Sequence, residues 1–220
     1  MELPQALDSV SARSIDEISG AARAIQANVV ALRVALERRV PDVRLDDIRT
    51  PAPGPIRRSR ALLLRPETLK AYTPDELMVR LRQVWGEFCA LCWLFAHVDP
   101  QAPIDFDQMP DGQDHRCVTD ARSKLEEVQR HLWRLLHEQR RRHDPDAPKD
   151  PTFQRDCEIA VTQRLRVYDV LVTNANDTQI FHAACEYAGM LAALRWALDD
   201  RWTWEGPGIM RLSGGVPGQP

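Results

Sequence analysis

The chain has 220 residues, of which 44% are hydrophobic and 28% charged, with 10 Gly and 16 Pro. That apolar share supports a core and excludes a chain disordered throughout, and the length suits one domain with irregular ends. A net charge of -3 gives no general attraction to nucleic acid or anionic lipid.

The opening residues Met1, Glu2, Leu3 and Pro4 form neither a basic nor an apolar run, so no secretory leader is expected. The longest apolar run, over 88–98, is too short to span a bilayer, and no membrane association is expected. Five cysteines, an odd number scattered along the chain, point to a reducing cytoplasm and away from a disulfide framework.

Helical periodicity dominates the chain. Ile15, Ile18, Ala22, Ile25, Val29, Leu32 and Leu36 recur at three-four spacing and predict a helix over 15–39. Ser14 with Glu17 forms a capping box at its start. The segment 1–14 is read as an N-terminal extension. From 40 to 72 a connector follows, broken by Pro41, Pro51, Pro53, Pro55 and Pro66 and made basic by Arg57, Arg58, Arg60 and Arg65. Its last residues, 66–72, suit one short turn of helix.

Thr73, Pro74 and Glu76 combine a cap, a first-turn proline and a capping box. They predict a helix to about residue 98. Its stripe is Leu77, Leu81, Val84, Phe88, Leu91, Phe95 and Val98. Trp85, Cys89, Cys92 and Ala96 widen the apolar face, which marks a central helix of a bundle. A loop over 99–114 carries Asp99, Asp105, Asp107, Asp111 and Asp114 without Lys or Arg, and reads as solvated rather than calcium-binding.

The next helix runs to about residue 143 on a stripe of Val118, Ala121, Leu125, Val128, Leu132 and Leu135. Arg140, Arg141 and Arg142 suit its C-terminal dipole, and Pro145 ends it. Asp150 and Pro151 start a fourth helix carrying Phe153, Cys157, Ala160, Val161, Val167, Tyr168, Leu171 and Val172. Asp177 caps a fifth, built on Ile180, Ala184, Tyr187, Leu191, Leu194 and Leu198. The tail 202–220 is rich in Gly and Pro. With no competing strand signal, the reading is an all-α, up-down antiparallel bundle of about five long helices, forming one domain over 15–201.

One constellation carries candidate chemistry. Cys89 and Cys92 lie at i,i+3 on the helix over 74–98, and His182 and Cys185 at i,i+3 on the last helix. In an antiparallel pair all four fall at one depth. Three thiolates and an imidazole suit zinc or an iron-sulfur cluster, with His115 and Cys117 as further candidates. Against this stands ordinary packing, because free Cys behaves as a small buried hydrophobe. The pair His143 and Asp144 resembles the paired ligands of the HD phosphohydrolases, but its place before Pro145 reads as a solvated helix end.

No Glu-x-x-His pattern for di-iron, phosphate-binding glycine loop or nucleophile elbow is present. Arg residues at the helix ends make phosphate binding conceivable, but acidic neighbours offset them and stacking aromatics are absent from the connector. Trp202 and Trp204 beside the tail form a candidate partner-docking element. By exclusion, the expected function is that of a non-enzymatic interaction protein: an adaptor, assembly subunit or regulator acting through a protein partner or a homo-dimer. Helix one and its long connector are the expected dimer element. The alternative is a zinc or iron-sulfur protein or redox sensor using Cys89, Cys92, His182 and Cys185. A small-molecule pocket lined by Trp85, Trp93, Tyr168 and Tyr187 is a third reading.

Overall fold

A computed structural model describes residues 13–48, 63–94, 118–144, 165–168 and 170–198. The expected acidic loop over 99–114, together with His115, Cys117, Cys157, Trp202, Trp204 and the tail, lies outside these residues. The described chain is mostly helical. Among the described residues four long helices are present: α1 (Ile15–Arg39), α3 (Pro74–Leu94), α4 (Val118–His143) and α5 (Asp177–Leu198). A single short one, α2 (Pro66–Ala71), ends the connector.

The caps follow from local sequence. The Glu17 amide donates to Ser14 Oγ at 3.2 Å, while the Ser14 amide donates to Glu17 Oε2 at 2.8 Å. Thr73 and Glu76 repeat the arrangement at α3, at 3.2 and 2.7 Å. At α5 the cap sits one residue earlier than expected. Asn176 Oδ1 accepts from the Gln179 amide at 2.8 Å, and Gln179 Oε1 accepts from the Asn176 amide at 2.9 Å. Asn176 takes this role because its Oδ1 reaches the donor three residues on. Asp177 is instead the first helical residue and holds Arg142 at 3.0 Å.

The expected fourth helix does not extend to Val172. Residues Arg166–Val167 (β1) and Val170–Leu171 (β2) form a small antiparallel hairpin with Val167 opposite Val170. Tyr168, at its reversal, has a φ of 49°. The run Val167, Tyr168, Val170, Leu171, Val172 is rich in β-branched and aromatic residues, and its short apolar spacing fits either a strand or a helix.

The helices pack in the order α1, α3, α5, α4, so both α3 and α5 are interior. The pairs α3–α5 and α5–α4 are antiparallel: Gly86 meets Glu186 while Gln83 meets Gly189, and Arg142 at the end of α4 reaches Asp177 at the start of α5. Ile18, Ala22, Ile25, Val29, Leu32 and Leu36 of α1 are buried against Leu77, Leu81, Val84, Phe88 and Leu91 of α3 in the main core. A second core gathers Leu135, Leu165, Val167, Val172, Ala175 and Ile180 around the hairpin. Among the described residues no helix is long and apolar enough to cross a membrane.

Candidate functional site

The structure places α3 against α5, the juxtaposition that the cysteine-histidine reading requires. Even so, among the described residues no group of three or more His, Cys, Asp and Glu side chains is gathered as a metal ion would need. Cys89, Cys92, His182 and Cys185 therefore lie on two facing helices without forming such a group. The thiols are free, with Cys92 and Cys185 buried and Cys89 partly so. Burial pushes all three thiols above their ordinary range, Cys185 to about 11, and neighbouring Glu186 adds to the shift of Cys89 and Cys185. A thiol held protonated in this way is a poor nucleophile. Burial, reinforced by the nearby Arg82 charge, also brings the His182 imidazole below its usual range.

The most concentrated electrostatics of the seam belong to four residues that sequence reasoning did not bring together, and of these Arg82 and Asp47 were not singled out at all. Arg82 of α3 is only 4% exposed and pairs with Asp47 of the segment after α1 through both terminal nitrogens, the Nη2–Oδ1 contact being 3.3 Å. Its Nη1 also donates to Glu186 Oε1 of α5 at 2.8 Å. That same oxygen accepts from the Tyr168 hydroxyl at 2.9 Å, and the guanidinium lies 5.1 Å from the centre of the Tyr168 ring. One cation thus ties together α3, α5, the hairpin and the segment over 40–48.

Burial works against the charge of Arg82, yet the Asp47 hydrogen bond, with Tyr168 and Glu186, outweighs it and strengthens the charged form. For Glu186 burial dominates and raises the carboxyl despite Arg82. The left-handed backbone of Tyr168 costs about 1 kcal/mol or more, and is maintained where surrounding bonds over-determine it. Lone charged residues inside the apolar stretches of α3 and α5 were the available signal.

Close to this hub the helices touch through glycine. A Cβ on Gly86 would lie 1.9 Å from the Glu186 carbonyl oxygen, and one on Gly189 would lie 1.9 Å from that of Gln83. Beside Gly86, Glu87 is 2% exposed and its Oε2 has no hydrogen-bond partner. Burial alone pushes its carboxyl up to about 8, against a small opposing pull from Arg80.

The aromatic residues proposed as a pocket lining are engaged separately. Trp85 packs on Phe88 at 5.7 Å, Lys124 lies 5.7 Å over Trp93, Tyr168 covers Arg82, and Tyr187 meets His131 edge-on at 5.4 Å. His143 and Asp144 are exposed at the end of α4, as expected of a helix terminus. Of the basic groups, Arg39 donates to the carbonyls of Leu69, Lys70 and Tyr72 and caps α2. Arg141 and Arg142 hold Glu138, whose carboxyl burial would raise but these hydrogen bonds bring below its usual range.

The outward face of α4 is different in kind. Ala121, Val128 and Leu135 are buried, with Leu125 and Leu132 partly so, as the stripe predicts. Trp133 and Leu136 fall off that stripe and are 55% and 41% exposed, one helical turn apart. Arg122, Glu126, Arg130 and Arg140 share their face and are also exposed. Large apolar residues outside the predicted stripe were the signal for this surface. Compared with protein-family models, curated proteins and solved structures, the chain matches none of them.

Proposed function

We propose that this chain is a non-enzymatic helical-bundle interaction protein that docks a protein partner on the outward face of α4. The observation that carries the reading is the exposed pair Trp133 and Leu136. A large aromatic residue next to an aliphatic one on a helix face is the usual anchor of a helix-in-groove or helix-on-helix contact. The chemistry-bearing side chains of the α3–α5 seam support the same reading. The terminal nitrogens of Arg82 are bound to Asp47 and Glu186, and the thiols are held protonated. Free, buried cysteines suit a reducing compartment such as the cytoplasm.

The test compares the wild-type chain with a Trp133→Ala/Leu136→Ala double variant. Both are checked for helicity and melting temperature, then cross-linked in extract of the native host. Partners captured by the wild type and lost from the equally folded variant are the expected result. An unchanged set of partners overturns the reading.

A further inference from the structure

Resting on that docking reading, we infer that the segment that binds α4 is acidic as well as apolar. Positions 122, 126, 130, 133, 136 and 140 repeat at helical spacing and form one exposed stripe. Its centre is Trp133 and Leu136. Around them stand three guanidinium groups, Arg122, Arg130 and Arg140, against the carboxylate Glu126, with Asp144 one turn beyond Arg140 at the end of the helix.

Several arginines elsewhere among the described residues are committed, although exposed Arg38, Arg44, Arg65 and Arg166 are not. Arg33 holds Glu37 and the Ile48 carbonyl, Arg39 caps α2, Arg82 holds two carboxylates, and Arg142 holds Glu138 and Asp177. The three arginines of the stripe form no ion pair among the described residues, and neither Arg122 nor Arg130 is bridged to Glu126 one turn away. Unpaired guanidinium forks beside an apolar anchor match carboxylates beside an apolar ridge.

Spacing narrows the partner further. Arg130 and Arg140 bracket the anchors and lie about 15 Å apart along the helix axis at 1.5 Å per residue. A complementary segment carries acidic groups about ten residues apart, with its apolar side chains between them, as an acidic amphipathic helix does. A second copy of the chain fits poorly. An antiparallel pairing centred on Trp133 and Leu136 sets Arg130 of one copy near Arg140 of the other, and like charges across an interface are disfavoured. Nucleic acid is the weaker match because the stripe offers one stacking ring and carries Glu126.

The experiment uses the full chain and three fluorescent peptides of about 18 residues with one shared leucine pattern, flanked by Glu, by Gln or by Lys. A labelled single-stranded oligonucleotide and vesicles of mixed neutral and anionic lipid are run beside them. Binding is read by anisotropy for the peptides and oligonucleotide and by co-sedimentation for the vesicles. The Glu peptide is expected to bind about tenfold more tightly than the Gln peptide, with the Lys peptide weakest. An Arg130→Gln/Arg140→Gln variant is expected to erase that advantage, and Trp133→Ala to weaken every peptide.

Equal binding of the Glu and Gln peptides, both dependent on Trp133, overturns the acidic partner and leaves the docking face standing. Peptide binding indifferent to Trp133→Ala, or no peptide binding, overturns both. Binding confined to the oligonucleotide or the vesicles overturns both in favour of that class.

Discussion

Helix α5 forms two antiparallel seams of opposite construction. Against α3 it presents Gly189 and the Glu186 backbone, so the two main chains touch and the hydrogen bonds of Arg82 close the contact. Against α4 it presents Tyr187 to His131, and the ends are tied by Arg142 reaching the Val172 and Ala175 carbonyls at 3.2 and 2.6 Å. The first seam is set by what is missing, a side chain at Gly86 and at Gly189. The second is set by side-chain volume and by partly exposed polar bonds. A seam of the first kind has no room to adjust, whereas one of the second kind can repack.

The largest difference is expected at the cations. Arg82→Ala leaves the largely buried Glu186 without its cation beside a partly exposed Asp47, and is expected to cost about 3 kcal/mol. Arg142→Ala removes a cation nearer to solvent and is expected to cost about 1 kcal/mol. Urea unfolding of the two variants checks this, and equal losses would break the contrast between the seams. Steric substitutions come next. Gly86→Ala or Gly189→Ala is expected to cost about 3 kcal/mol, while Leu132→Met on the α4 side stays near 1 kcal/mol. A tolerated Gly86→Ala in thermal unfolding would show that the helices can separate.

A further expected effect concerns pH. Glu87 has its carboxyl pushed up to about 8 in the folded chain, from an ordinary 4.5. Between those values the folded chain keeps a proton that the unfolded chain has released. Raising the pH through that window therefore favours unfolding, by about 1.4 kcal/mol per pH unit for one group. Glu87→Gln is expected to remove this component, so stability measured from pH 5 to 8 falls less steeply in the variant than in the wild type. Parallel curves would mean that Glu87 finds a partner on ionisation.

Much of the fold was legible before the structure. The stripe of Ile18, Ala22, Ile25, Val29, Leu32 and Leu36 is buried, and the Ser14 and Thr73 boxes close as read. The antiparallel facing of α3 and α5 was also anticipated, although it does not assemble Cys89, Cys92, His182 and Cys185 into a metal centre. The hairpin was missed because Val167, Tyr168, Leu171 and Val172 fit two periodicities at once. Trp133 lies off the buried stripe of α4, and no local pattern says which large residue there stays uncovered.

What the sequence determined by itself is whatever depends on near neighbours: helical periods, caps, breaks at proline and the all-α class. Adjacent residues suffice for these, because a hydrogen bond spans four positions and an apolar stripe recurs with each turn. Tertiary structure alone decided that Gly86 and Gly189 would be contact points, that Arg82 would gather Asp47, Tyr168 and Glu186, and that Trp133 would be left outside. Each of these depends on which distant backbone arrives next to a residue, and no local pattern encodes the partner across the seam.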